Sequence, residues 1–234
     1  MQKIEREILV NKAKELLSAG TVARVLGWRE GEFSYDVTPA VFKAEEELDS
    51  FVWNDFCGAN LSKYLVREAA KDGKVLVFLK PCDTYSFNQL LCEHRIIRDN
   101  VYVVGIPCNG MLDEGKMKHL VPELLGAEED GETVHLTTYD DVLTTPRTEN
   151  CKSRRHVVYD ELLGEDGEVL DSHRFDEVER LEAMTPDERY AFWQGELSRC
   201  IRCNACRNVC PACTCEKCVF DNPESGVENK AAAN

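Results

Sequence analysis

A run of cysteines towards the C-terminal end of the chain has the spacing of iron–sulfur ligands. Cys200, Cys203, Cys206 and Cys210 are separated by two, two and three residues, and Pro211 follows. This is the cysteine spacing of bacterial ferredoxins. A cuboidal cluster needs thiolates at the corners of a compact tetrahedron, and two-residue gaps let successive sulfurs turn towards it. The run therefore predicts at least one [4Fe–4S] cluster.

Three further cysteines extend this run and leave the number of clusters open. Cys213, Cys215 and Cys218 follow the proline, and the fourth cysteine of a ferredoxin run often binds a different cluster from the first three. Two complete clusters need about eight thiolates. The segment offers seven, so a second cluster would take a ligand from the rest of the chain or use another group. A structural zinc site is the alternative, although zinc folds usually pair two C-x2-C units across a longer spacer.

Two cysteines elsewhere in the chain occupy matching positions. Cys82 and Cys108 each follow a proline at the end of an apolar run of strand length. If these strands are parallel, both sulfurs lie at the carboxyl edge of one sheet, which is where open α/β sheets bind ligands. A lone buried cysteine is often only a small apolar residue, but the matched pair favours a metal site. Cys151 and Cys57 are further candidate ligands, whereas Cys92 is expected in mid-helix, within the core.

Composition and charge narrow the classes of function. The chain has 234 residues, 43% of them hydrophobic, which suffices for one α/β domain with a small appendage. The net charge of −15 argues against nucleic-acid binding. The chain has no run of about 18 apolar residues for a membrane span, and its charged N-terminus does not look like a signal peptide. We therefore expect a cytoplasmic protein, whose twelve cysteines indicate metal or redox chemistry rather than disulfides.

Sequence signatures of other activities are missing. There is no G-x-G-x-x-G run and no Walker loop, so these two nucleotide-binding patterns are absent. The five histidines do not pair at metal-binding spacing, and no Ser-His-Asp pattern is apparent. No catalytic residue is assigned.

Alternating helices and strands are predicted for the body of the chain. Apolar spacing predicts helices at 4–17, 60–70 and 86–96, and strands at 21–26, 74–79, 101–106, 133–137 and 156–159. The second and third strands are almost continuously apolar, as are strands buried on both faces of a parallel sheet. With the helix between them they form a βαβ unit, whose crossover should be right-handed. The predicted fold class is α/β, a mostly parallel sheet flanked by helices, with a small C-terminal ferredoxin-like iron–sulfur segment.

Three parts are predicted along the chain. An α/β body covers residues 1–176. Residues 177–220 hold a capped helix followed by the ferredoxin-type segment. This helix begins at Thr185, with Pro186 at its first position and Glu188 completing a capping box. Residues 221–234 form a polar tail.

Two strand-end signatures together with the cysteine run resemble a known family. The signatures are Lys80-Pro-Cys-Asp83 and Val104-Gly-Ile-Pro-Cys-Asn-Gly110. They look like those of the beta subunits of deazaflavin-coenzyme (F420) hydrogenases and dehydrogenases, which include formate dehydrogenase beta-type subunits. The resemblance runs from about residue 10 to residue 215. It implies an electron-relay subunit with [4Fe–4S] clusters and often FAD, which joins other subunits of a hydrogenase, formate dehydrogenase or heterodisulfide-reductase-like complex in anaerobes.

The resemblance also assigns individual residues and shows one departure. By position, the strand-end cysteines of the family match Cys82 and Cys108, and its cluster ligands match Cys200, Cys203, Cys206 and Cys210. The members most like this chain have a C-x2-C pair where it has Cys151-Lys-Ser-Arg154. Because arginine does not bind iron, either the site in the body is lost or Cys57 supplies the missing ligand. The alternatives to a relay subunit are a FAD-bearing catalytic subunit that reduces a soluble electron carrier and a zinc-stabilised interaction module.

Overall fold

The computed structural model describes residues 4–33, 35–108, 110–112, 114–121, 123–130, 133–146, 153–167, 175–201 and 203–215. The chain divides into two compact units, Met1–Leu170 and Asp171–Asn234. Two of the candidate ligands, Cys151 and Cys218, and the predicted tail at 221–234 lie outside the described residues.

Two sheets organise the first unit. Its strands are β1 (Arg24–Glu30), β2 (Val37–Phe42), β3 (Val75–Leu79), β4 (Val101–Gly105), β5 (Gly126–Asp130), β6 (Thr133–Thr137), β7 (Val142–Pro146) and β8 (Glu161–Leu162). One sheet has the order β2-β1-β3-β4-β8 and the other has the order β5-β6-β7. In the first sheet β1, β3, β4 and β8 run parallel to one another, and only the edge strand β2 is antiparallel to its neighbour β1. The prediction of an α/β fold with a mostly parallel sheet is confirmed.

The centre of the larger sheet consists of two strands made almost wholly of apolar residues. All five residues of β3 are fully buried, and β4 is buried apart from Tyr102. Strands covered on both faces show such continuous apolar runs instead of an alternating pattern. Their register pairs Val75 with Val101 and Leu79 with Gly105, so the two strands end at the same edge. The predicted parallel pairing is therefore confirmed.

The α-helices of the first unit pack into the apolar clusters of both sheets and follow from amphipathic spacing. The helices of the first unit are α1 (Arg6–Ser18), α2 (Ser62–Glu68), α3 (Pro81–Cys92) and α4 (Glu114–Leu120). In α1 the buried residues Leu9, Val10, Ala13 and Leu16 lie on one face, at helical spacing. The helix ends where Gly20 adopts a φ of 67°, a conformation that glycine adopts without penalty.

The smaller sheet is an antiparallel meander over a separate apolar cluster. Its inward-facing residues Ala127, Val134 and Leu136 pack with Met117 of α4 and with Tyr35. The phenol of Tyr35 donates a hydrogen bond to the Leu124 carbonyl at 2.6 Å. The predicted strand at 133–137 is confirmed as β6.

Three predicted elements and the expected position of Cys92 need correction. The strand expected at 21–26 begins at Arg24 and continues to Glu30. The helix expected at 86–96 begins at Pro81 and ends at Cys92, since proline suits a first helical turn. Cys92 is exposed at this helix end, so its expected core position was wrong. The strand at 156–159 was also wrong, because β8 follows it and is aligned by a hydrogen bond from the Asp160 N–H to the Val103 carbonyl.

The second unit is a short series of helices without a core among its described residues. Its helices are α5 (Asp176–Glu182), α6 (Pro186–Ser198) and α7 (Ala205–Val209), and none contains a buried residue. The capping box at the start of α6 is confirmed. The Glu188 N–H donates to Thr185 Oγ1, and the Thr185 N–H donates to the Glu188 carboxylate at 2.9 Å. No described helix of either unit is both long and apolar enough to cross a membrane.

Replacement of Gly27 by alanine should destabilise the first unit, because a Cβ at this β1 position would lie 2.2 Å from a ring carbon of Phe51. Phe51 is buried against Phe42 and Phe78 and has little room to move. Overpacking of this kind costs about 1–3 kcal/mol. Urea denaturation should show this loss for Gly27→Ala. Gly58→Ala is the control, since its Cβ would meet nothing closer than 3.9 Å. Equal stability of the two variants would contradict this packing.

Candidate functional site

A buried ion pair lies where β3 ends and α3 begins. Lys80 directly follows β3, and Asp83 lies in the first turn of α3. Lys80 Nζ is 2.8 Å from Asp83 Oδ2, and both side chains are 2% exposed. Burial raises the pKa of Asp83, and the ammonium of Lys80 opposes this shift. The two charges are thus held together inside the protein at the carboxyl edge of the sheet.

The ammonium of Lys80 also joins a third segment of the chain. It donates hydrogen bonds to the carbonyls of Cys57 and Ala59, each at 3.0 Å, and lies 4.7 Å from the centroid of the Trp28 ring. Burial lowers the pKa of Lys80 more than any other single effect, but Asp83 together with the nearby Cys82 and Cys108 raises it by more, so the net shift is upwards. An ammonium with three protons and three acceptors is fully used. Lys80 is therefore a structural cross-link and not a nucleophile.

Three cysteines surround this ammonium. Cys82 and Cys108 lie near enough to Lys80 to raise its pKa, and Cys57 lies near both Lys80 and Cys108. Cys57 and Cys108 are buried, whereas Cys82 is exposed at the second position of α3. The structure thus places Cys82 and Cys108 at one edge of the sheet, as the parallel strands predict, and adds Cys57 to them.

The surroundings of Cys57 are those of a neutral thiol. Its Sγ is 3.7 Å from the Val52 carbonyl and 3.6 Å from Asn54 Oδ1. Burial raises the pKa of the Cys57 thiol to about 12, with a small opposing effect from Asn54. Within the described part of the chain, no three His, Cys, Asp or Glu side chains are arranged to hold a metal ion. Metal binding by Cys57, Cys82, Cys108 and Cys151 remains a prediction.

A histidine that the sequence did not single out closes the same edge. The ring of His156 is fully buried, and its Nε2 is 3.0 Å from the carbonyl of Leu79, the last residue of β3. Because a carbonyl only accepts, Nε2 must donate this bond. Nδ1 contacts the carboxylate of Asp166, which also accepts from the His156 N–H at 3.2 Å. A Cβ at Gly105 would lie 3.1 Å from this ring, so the histidine requires a glycine at the end of β4.

Sequence signals for these two residues were weak. Lys80 is a single charged residue after five apolar ones, and this abrupt change at a strand end was the available signal. His156 lies in a polar stretch without a pattern, and only the folded chain brings it to Leu79. Both residues hold segments of the chain together.

The C-terminal cysteines lie on two helix ends and the turns between them. Cys200 directly follows the C-cap of α6, and its N–H donates to the Leu197 carbonyl at 3.0 Å. Cys206 belongs to α7, and Cys210 is the residue that ends it. The remaining described members of the run are Cys203, Cys213 and Cys215. Cys210 is half-buried, and the other five described cysteines of the run are exposed. Cys218 lies outside the described residues.

These residues fit an iron–sulfur cluster in their chemistry. They supply only thiol ligands, which are the ligands that [4Fe–4S] clusters take from proteins. Asn204, between Cys203 and Cys206, has a left-handed backbone with a φ of 62°, so the run is a turn and not a continuous helix. The described helices around it bury no residue, and small units without a core commonly need a metal group to fold.

The chain was compared with known proteins. It is 24% identical to the beta subunit of F420-dependent formate dehydrogenase 1 from Methanococcus maripaludis, over 88% of this chain and 72% of that protein. The F420-dependent formate dehydrogenase subunit beta of Methanocaldococcus jannaschii is 23% identical, over 89% and 72%. The chain resembles these beta subunits. The resemblance stated from the sequence is therefore confirmed.

Family models and solved structures give weaker support than these two relatives. No protein-family model matches the chain. In the xenon-derivatised F420-reducing [NiFe] hydrogenase complex of Methanosarcina barkeri, one chain has a TM-score of 0.45 and 15% identity to this one. The match covers 62% of this chain and 58% of that chain, so this protein spans less than two thirds of the hydrogenase chain.

Removal of Lys80 should destabilise the first unit far more than joint removal of both partners. Lys80→Met leaves the Asp83 carboxylate buried without its counter-charge, which costs about 3–5 kcal/mol. In the double variant Lys80→Met/Asp83→Leu, no buried charge remains and most of this loss should be recovered. Urea denaturation of the two single variants and the double variant measures the coupling. Additive losses would show that the two side chains do not form a buried pair.

Ionisation of Cys57 should weaken the fold at alkaline pH. The unfolded thiol loses its proton near its ordinary pKa of 9.0, while the folded thiol keeps it to about pH 12. The native state therefore binds more protons in this window, and the free energy of unfolding falls by about 1.4 kcal/mol per pH unit. Cys57→Ala should show a shallower decline, and Cys92→Ala, at an exposed position, should follow the wild type. Identical slopes for Cys57→Ala and wild type would contradict the burial of this thiol.

Proposed function

We propose that this protein is an iron–sulfur electron-transfer subunit of an anaerobic multi-subunit oxidoreductase. The observation that carries the proposal is the ferredoxin spacing of Cys200, Cys203, Cys206 and Cys210. It is supported by the similarity to two proteins named as beta subunits of F420-dependent formate dehydrogenases. The partners are the other subunits of a hydrogenase, formate dehydrogenase or heterodisulfide-reductase-like complex, in the cytoplasm.

The residues of this chain would hold the redox group and shape its surroundings. A bound [4Fe–4S] cluster accepts and releases one electron at a time. Cys200, Cys203 and Cys206 would supply thiolates to one cluster, and Cys210 with Cys213, Cys215 and Cys218 would complete it and could hold a second. The net charge of −15 would orient the protein towards a basic surface of its partner. No side chain of this chain makes or breaks a covalent bond with a substrate in this role.

A second function is favoured by the names of the relatives. Both are called F420-dependent, so a subunit of this type could itself bear FAD and reduce that soluble deazaflavin carrier. The carboxyl edge of β3 and β4, where Lys80 and the three thiols lie, would then be the place for a flavin, as in other open α/β sheets. The visible spectrum separates the two functions, since a flavin adds a structured blue band that iron–sulfur clusters lack.

Metal analysis tests the proposed function directly. Protein purified without oxygen should contain about four irons and four acid-labile sulfides per chain for one cluster, or about eight of each for two. About twelve would require the cysteines of the body as well.

Loss of one ligand should remove a whole cluster. Cys203→Ala should lower the iron and sulfide content by about four atoms each per chain, because a cuboidal cluster needs all of its thiolates. Cys92→Ala, which replaces an exposed cysteine of α3, should keep the wild-type content. A colourless wild type with bound zinc and no iron would contradict the electron-transfer role and would favour a zinc-stabilised interaction module.

A further inference from the structure

Asn204 has an uncommon backbone conformation between two of the candidate ligands. Its φ is 62° and its ψ is 10°, in the left-handed region, and it lies in the two-residue gap between Cys203 and Cys206. Residues with a side chain pay about 1–2 kcal/mol in this region, and asparagine and aspartate are the ones that tolerate it best. The residue type at this position therefore matches its conformation.

The usual explanation for an asparagine in front of a helix does not apply to Asn204. Asparagine commonly caps the first turn through its side chain, but here the side chain makes no capping hydrogen bond. Its amide oxygen is 3.4 Å from Arg207 Nη1, a long contact at an exposed position. Helix α7 instead uses the backbone, since the Asn208 N–H donates to the Asn204 carbonyl at 3.0 Å. The conformation of Asn204, and not its side chain, is what the structure uses.

The left-handed turn at Asn204 lies directly before α7 and prevents Cys203 from continuing into that helix. Helix α6 ends at Ser198 and α7 begins at Ala205, so Cys200 and Cys203 lie between the two helices and Cys206 is the second residue of α7. In one straight helix Cys200 and Cys206 would be about 9 Å apart along the axis, with Cys203 between them. Thiolates in such a row cannot occupy the corners of a compact cluster.

We infer that Asn204 is a positioning residue for the iron–sulfur site, because its left-handed turn keeps Cys203 and Cys206 out of one continuous helix. This inference rests on the proposed function, since it requires that the cysteine run binds a cluster. The role belongs to the backbone, so glycine should fulfil it, and alanine should not. Aspartate should keep the turn and add a negative charge beside the cluster.

The test compares Asn204→Gly, Asn204→Ala and Asn204→Asp in the full chain, purified without oxygen. The rate at which an iron chelator bleaches the visible absorption reports how firmly the cluster is held. Asn204→Gly should match the wild type, and Asn204→Ala should lose iron about five- to tenfold faster, as the penalty on a left-handed alanine implies. Asn204→Asp should retain iron like the wild type but show a lower midpoint potential, because negative charge disfavours the reduced cluster.

The possible results separate this inference from the function on which it rests. An iron-containing wild type whose alanine variant releases iron no faster overturns the inference alone. An Asn204→Gly variant as labile as Asn204→Ala also overturns it, because the side chain would then be the important part. A wild type without iron overturns both the inference and the proposed function.

Discussion

The ammonium of Lys80 is the constraint on which the carboxyl edge of the larger sheet depends. A charge taken out of water costs several kcal/mol unless it is paired and hydrogen-bonded. Lys80 meets this requirement only if three segments come together, namely residues 57–59, the end of β3 and the first turn of α3. The ion pair with Asp83 therefore fixes the same edge at which Cys57, Cys82 and Cys108 lie.

The two units of the chain differ in the interactions that can stabilise their folds. The first unit has a large apolar core, in which β3 is completely buried and aromatic rings such as Phe51 and Phe78 pack edge to face. The described helices of the second unit bury nothing. Local hydrogen bonds such as the Thr185 cap support these helices, and the cluster proposed for the cysteines would add the order that burial does not supply. In the proposed function, the thiols that carry the chemistry of this unit would also stabilise it.

Patterns in the sequence predicted the features that depend on interactions between residues close together in the chain. The continuous apolar runs of β3 and β4 indicated buried parallel strands, and Thr185 with Glu188 indicated the start of α6. Features that arise from tertiary contacts were not predictable in this way. His156 was assigned to a strand because of its neighbours, yet its ring is held by the Leu79 carbonyl and packs closely over Gly105. The left-handed conformation of Asn204 has no signature in a single sequence, since asparagine occurs as readily at helix caps and turns. The ligand set of each cluster depends on where the sulfurs lie in space, and spacing alone does not determine it.

If the cysteine run binds a cluster as proposed, this protein is a carrier of single electrons. Electron paramagnetic resonance of the whole protein, prepared without oxygen and reduced stepwise, tests it most directly. The claim predicts that reduction produces the low-temperature signal of a paramagnetic [4Fe–4S] cluster, and that reoxidation removes it reversibly. A protein that gains no such signal at any potential, while its cysteines hold zinc, would contradict the claim.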